Sequence, residues 1–255
     1  NKNTVRNNEV LNNGDSGIYV RSNENQIEAN TVSNNVKAGI ALLIKSGSPP
    51  PGSNVIMSNT VASNGANGID LRTAVGTLVQ GNLVELSQNK GDGVYLKDST
   101  QTSLVANILR LNTGYGIEVS GATEKNTWSR NSIYDNTLGA LVGSGGAILS
   151  SPPQLLPITG TILSGTANPG AVVEIFADTN SQAQYYQGRT TAGADGTFSF
   201  EAATWPAGKI TAIGDHVSAL SQHVTAPTVV VPTPTPIVTP TPSGKLFLPL
   251  IQSAK

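Results

Sequence analysis

Along residues 1–143 the apolar positions come in short alternating runs, each too brief for an amphipathic helix and each closed by Asn, Gly or Ser. The runs recur as a unit of roughly 22–29 residues, and a fixed period of that size marks a stacked architecture. Each unit holds an apolar residue, two spacers, Asn, a spacer, Val or Ile, a second Asn, then Gly-Ile-x-Leu/Val. The copies begin with Val5…Asn8-Glu9-Val10…Asn13…Gly17-Ile18-Tyr19-Val20, then Ile27…Asn30-Thr31-Val32…Asn35…Gly39-Ile40-Ala41-Leu42. Ile56…Asn59-Thr60-Val61…Asn64…Gly68-Ile69-Asp70-Leu71 is the third, and the looser fourth is Val79…Asn82-Leu83-Val84 with Gly93-Val94-Tyr95-Leu96. Leu104…Asn107-Ile108-Leu109…Asn112…Gly116-Ile117-Glu118-Val119 and Trp128…Asn131-Ser132-Ile133…Asn136…Gly139-Ala140-Leu141 complete the six. The Gly steps are 22, 29, 25, 23 and 23 residues apart.

Three short strands and three turns per copy predict one coil of a parallel β-helix. Coils stacked at ~4.8 Å make a stem of roughly 29 Å. Gly and Asn are expected where the chain bends, because both tolerate positive φ. Asn8, Asn30, Asn59, Asn82, Asn107 and Asn131 fall in one column. Asn13, Asn35, Asn64, Asn112 and Asn136 fall in another. Stacked amides donate and accept along the axis, so these columns predict turn ladders rather than a binding stripe.

On these motifs, residues 1–143 resemble the right-handed parallel β-helix repeats of pectate-lyase-like and periplasmic copper-protein-type proteins. The resemblance implies the fold and leaves the chemistry open. The leucine-rich-repeat signature and the Gly-Gly-x-Gly-x-Asp calcium repeat are both missing.

After Gly143 the grammar changes. Residues 144–157 read as a Gly/Ser/Pro linker, and strand-like runs follow at Ile158–Gly165, Val172–Phe176, Thr197–Phe200, Lys209–Ala212 and Val217–Val224. Asn168-Pro169-Gly170 and Ala194-Asp195-Gly196 mark turns, so residues 158–225 predict a small β-sandwich. The order of these motifs is similar to bacterial immunoglobulin-like modules of surface proteins, which implies an accessory role. The Thr-Pro repeats of 226–243 predict an extended polyproline stalk. Lys245-Leu246-Phe247-Leu248-Pro249-Leu250-Ile251, within 244–255, is a short apolar tag resembling those that follow Thr-Pro stalks in exported proteins. It departs from the sortase motif. The whole chain is thus predicted all-β: a right-handed parallel β-helix of about six coils, a small β-sandwich and a C-terminal stalk.

Charge adds mainly exclusions. The 255 residues carry 15 Lys and Arg against 16 Asp and Glu, a net charge of −1, and no basic patch points to nucleic acid. With no Cys there are no disulfides and no thiolate chemistry, and no stretch of about 18 apolar residues predicts a transmembrane segment. Asn1 falls directly before a repeat, so a cap or further coils are expected upstream.

Chemistry on such a stem belongs to outward residues that differ between copies. On the Gly-Ile strand they form one column of Tyr19, Ala41, Asp70, Tyr95, Glu118 and Leu141, and a second of Arg21, Leu43, Arg72, Lys97, Ser120 and Val142. Tyr19 and Tyr95 can stack on sugar faces, while Asp70, Arg72, Lys97 and Glu118 can bond hydroxyls. The Lys45–Ser53 insertion is placed to wall one side of a groove. As catalytic candidates, Asp70 and Glu118 lie roughly 10 Å apart, a separation that suits inverting glycoside hydrolysis. With Lys97, such carboxylates can instead bind calcium and abstract a proton from a uronate. The alternative is ordinary solvated strand residues. The only two His, His216 and His223, lie outside the repeats, and no Met, His or Cys ligand set supports copper handling. No metal or cofactor is therefore assigned, with calcium the one considered. The reading is an exported, extracellular or surface protein, structural or adhesive, monomeric, with a polysaccharide or cell-surface glycan as partner. The alternative is a piece of a polysaccharide lyase or glycoside hydrolase.

Overall fold

A computed structural model describes residues 1–44, 46–85, 91–147, 149–214 and 220–227. The Thr-Pro stalk beyond Pro227, the apolar tag and His216 lie outside the described residues. Those described are all-β, and none forms a helix long and apolar enough to cross a membrane.

Six coils stack in three six-stranded parallel sheets. The first sheet runs from Thr4–Arg6 to Thr127–Ser129, the second from Glu9–Leu11 to Ser132–Tyr134, and the third from Ile18–Val20 to Gly139–Ser144. One residue of each three-residue strand points inward: Ile27, Ile56, Val79, Leu104 and Trp128 in the first sheet, Val32, Val61, Val84, Leu109 and Ile133 in the second. The third sheet buries two per strand, such as Ile69 with Leu71 and Val94 with Leu96, so it forms the widest wall of the core.

The Asn columns are ladders. Asn30 Nδ2 donates to Asn59 Oδ1 at 2.9 Å and to the Val5 carbonyl at 2.9 Å, and the links from Asn8 through Asn131 repeat that form. A third ladder, not anticipated from the sequence, runs through Asn3, Asn25 and Asn54; Thr77 and Thr102 hold its place in the next two coils before Asn126.

The division of labour between Gly and Asn differs from the expectation. Positive φ belongs to the residue before each ladder Asn, including Asn7, Ala29, Ser58, Ala106 and Leu111, and not to the ladder Asn itself. The repeated Gly of the Gly-Ile step has ordinary φ. It is glycine because a Cβ would strike the next coil: at Gly39 it would lie 2.3 Å from Val61 Cγ1 and 2.8 Å from the Gly68 carbonyl.

Coil six also corrects the expected alignment. Gly139 pairs with Tyr115 and Leu141 with Ile117, so Ala140, not Gly139, fills the glycine column. The ladders show why: the step from Asn112 to Asn136 spans 24 residues, and among the described residues no seventh β-helix coil lies beyond Ala140 to crowd its methyl. Leu141 therefore turns toward the core, Val142 ends the first outer column and Ser144 the second.

Beyond the stack lie two small antiparallel sheets that share a core of Leu163, Val173, Ile175, Phe198, Trp205, Ile210 and Ala212. Gln154–Leu155, inside the expected linker, pairs with Ile162–Thr166, which pairs with Thr197–Glu201. Tyr185–Thr191, Val172–Asp178, Lys209–Gly214 and Val224–Thr225 make the other sheet. Thr159 and Ile162 close a tight turn, so the first strand starts later than its apolar run. Tyr185–Thr191 escaped the pattern reading because it is polar, mostly exposed and interrupted by Gly188.

Candidate functional site

Strands Ile18–Val20, Ile40–Leu43, Ile69–Arg72, Val94–Lys97 and Tyr115–Ser120 lie in register, which lines up their outward residues. Tyr19, Ala41, Asp70, Tyr95, Glu118 and Val142 form the first outer column, and Leu43, Arg72, Lys97, Ser120 and Ser144 the second. Arg21 follows directly after the first strand. All six residues singled out from the sequence thus share one face.

Their environments differ. Arg72 binds Asp70 through two parallel bonds, Nε to Oδ1 and an Nη to Oδ2, each 2.9 Å, and Asn67 Nδ2 reaches Oδ2 at 3.3 Å. Asp70 is therefore only 6% exposed although it faces outward. The Arg72 guanidinium also lies 5.4 Å from the Tyr95 ring centre, and Arg21 lies 4.4 Å over Tyr19, which is 41% exposed. Lys97 stands exposed beside Arg72.

A groove of about 560 Å³ runs across the first three coils of this face. Its floor is Tyr19, Ala41 and Asp70, one rim holds Arg21, Leu43 and Arg72, and the other is built by the Asp15–Lys37 ion pair (2.8 Å) with Ala66. Residues 46–53 of the expected wall do not line it. Their chain returns toward the first sheet, where Gly52 bridges to Val75.

Sequence reasoning missed the most perturbed group on the face. Asp92 sits just before its strand, 7% exposed, with Oδ1 accepting the Tyr115 N–H at 2.7 Å. Burial, with the neighbouring Glu118 carboxyl in hydrogen-bonding reach and the charge of Asp70 beyond, pushes it up to about 7 from an ordinary 3.8; the Tyr115 bond opposes that rise. Glu118 in turn accepts the Ser144 hydroxyl at 2.5 Å. The Asp92 carboxyl thus holds its proton to higher pH than an ordinary aspartate. The local signal, Gly91-Asp92-Gly93, was readable only as a turn. Among the described residues no group of three or more His, Asp or Glu converges as a metal site.

Comparison with known proteins agrees with this architecture. A family model described as a right handed beta helix region matches residues 1–152. Among solved structures, the chain is similar to the periplasmic alginate epimerase AlgG at 19% identity and a TM-score of 0.50, over 55% of this chain and 37% of that one. It is also similar to the Dettilon tailspike protein gp208 at 19% identity and a TM-score of 0.44, over 82% of this chain and 42% of that one. No curated protein matches it in sequence.

Proposed function

Because the chain belongs to the right-handed β-helix family through residues 1–152, we propose that the outer face of its third sheet binds a polysaccharide, and that the protein is an exported structural or adhesive element at or beyond the cell surface. The observation that carries this is the groove itself: an axial trough with the half-exposed Tyr19 as platform, Arg21 folded over it, and Arg72 linking the trough to Tyr95. Aromatic faces beside fixed hydroxyl-bonding groups are what a sugar chain requires. The likeness to the alginate epimerase is one of fold, so the glycan reading stands on these residues. In this proposal the antiparallel sheets, similar in motif order to immunoglobulin-like modules, are an accessory to the face, and the Thr-Pro segment of the sequence is its stalk. A panel of immobilised polysaccharides tests the reading. Tyr19→Ala and Tyr95→Ala each lower the affinity for the bound glycan about tenfold or more; binding equal to wild type in both variants sinks it.

One observation favours a second reading, that the face also cleaves what it binds. A buried carboxyl that titrates near neutral pH beside a second carboxyl is an arrangement general acid–base chemistry uses. Asp92 and Glu118 supply it, whereas both oxygens of Asp70 are taken by Arg72. Release of oligosaccharide that is lost in both Asp92→Asn and Glu118→Gln establishes this reading; retention of intact polymer by the wild type excludes it.

A further inference from the structure

The antiparallel module meets coil six in a way that a spacer domain does not need. Among the described residues the strand Ser132–Tyr134 has no further parallel neighbour, yet the Ile133 N–H donates to the Ala183 carbonyl at 2.9 Å and the Ala183 N–H returns to the Ile133 carbonyl at 2.8 Å. One residue earlier, the Gln182 side chain does for Asn136 what the next ladder Asn does elsewhere. Its Oε1 accepts from both Asn136 N (3.2 Å) and Nδ2 (3.3 Å), as Asn59 Oδ1 accepts from Asn30 N and Nδ2. Gln182 Nε2 also donates to the Asn136 carbonyl at 3.0 Å. Glu174 accepts the Ser129 hydroxyl (2.6 Å) and the Arg130 N–H (2.8 Å), closing the first-sheet corner of the same coil. Phe176, Ala183 and Ile213 are continuous with the buried aliphatic column of the stack, not with the core of their own sheets.

We propose that the module is the end-cap of the coil stack, with residues 182–184 standing in for one rung of a seventh coil, so that stack and module open and unfold as one unit. An uncapped sixth coil leaves the buried Asn136 N–H without an acceptor and a column of aliphatics open to water, both costly. The loop is held in shape from within: Asp178 Oδ1 accepts the Ser181 N–H at 2.5 Å, and the Gln182 carbonyl accepts the Thr211 hydroxyl at 3.1 Å.

Hydrogen exchange on the full chain tests this with two variants. Gln182→Ala speeds exchange of the Asn136 amide about tenfold or more while Val61, in coil three, is unchanged; an unaltered Asn136 rate overturns the proposal. Phe198→Ala strikes only the module's own core, and it speeds exchange at Ile133 and Asn136 together with strand Val172–Asp178. Loss of protection in Val172–Asp178 with coil six still fully protected, or a second melting transition for the stack at its wild-type temperature, means a spacer and overturns the proposal. If Phe198→Ala yields no folded chain, Gln182→Ala decides alone.

Discussion

Every described ladder Asn is entered through a residue at positive φ, and several of those residues are poorly suited to it. Ala29 (φ 54°), Ala106 (φ 52°) and Leu111 (φ 59°) each bear a Cβ where the left-handed conformation costs about 1–2 kcal/mol. Glycine removes that strain and adds back about 0.5–1 kcal/mol of unfolded-state entropy. Ala29→Gly and Ala106→Gly are therefore expected to stabilise the protein by up to about 1 kcal/mol in urea denaturation. The glycines of the Gly-Ile step behave oppositely: a Cβ at Gly116 would lie 2.2 Å from Ile133 Cγ2, and Gly116→Ala should cost roughly 1–3 kcal/mol. Asp92 gives a third test at this scale. Its carboxyl is raised from 3.8 to about 7 in the folded protein, so between those values the folded state holds a proton that the unfolded state has released. Its contribution to stability is complete below about pH 4 and lost as pH climbs to about 7, with a slope of at most about 1.4 kcal/mol per pH unit. Asp92→Asn should flatten stability across that window; an unchanged slope would show that Asp92 does not hold the proton.

Between coils, the unit of stability is the ladder link. Asn107 is fully buried, accepts from both Asn82 N and Nδ2 and donates to the Val79 carbonyl, so Asn107→Ala strands the buried Asn82 N–H, removes two further bonds and should cost about 2–4 kcal/mol. The corner ladder at Asn3, Asn25 and Asn54 is interrupted by Thr77 and Thr102, whose buried hydroxyls have no hydrogen-bond partner. Thr77→Asn with Thr102→Asn should join Asn54 to Asn126 and raise stability by about 1–2 kcal/mol. Two of the three ladders were legible because an amide recurring at one position has only one economical use in a stack. The reason for the glycine column was not, since a letter that permits positive φ also permits close approach, and only the distance to the next coil separates them. Coil six was misread by one residue for the same cause: Gly139 resembles its column, but the column ends where there is no further coil to crowd a side chain. Asp92 was invisible because its perturbation comes from Glu118 in the next coil, and Tyr185–Thr191 because an exposed edge strand buries too little to alternate.

For the molecule as a whole, the face that all six sequence-derived residues share is nearly balanced in charge. Arg21, Lys37, Arg72 and Lys97 stand against the carboxyls of Asp15, Asp70, Asp92 and Glu118. Two of those cations are already paired, Lys37 with Asp15 and Arg72 with Asp70. With a net charge of −1 over 255 residues, no long-range field steers a charged polymer to the groove. Recognition then rests on stacking and hydroxyl bonding, which ions barely screen, and not on Coulomb attraction, whose reach shrinks from about 10 Å in 0.1 M salt to about 3 Å in 1 M. Glycan affinity should accordingly change less than about threefold between those two salt concentrations, under 1 kcal/mol, while Tyr19→Ala removes about tenfold or more in either. A tenfold fall with salt, abolished by Arg21→Gln with Lys97→Gln, would instead assign recognition to the cationic rim and make the ligand an acidic polymer.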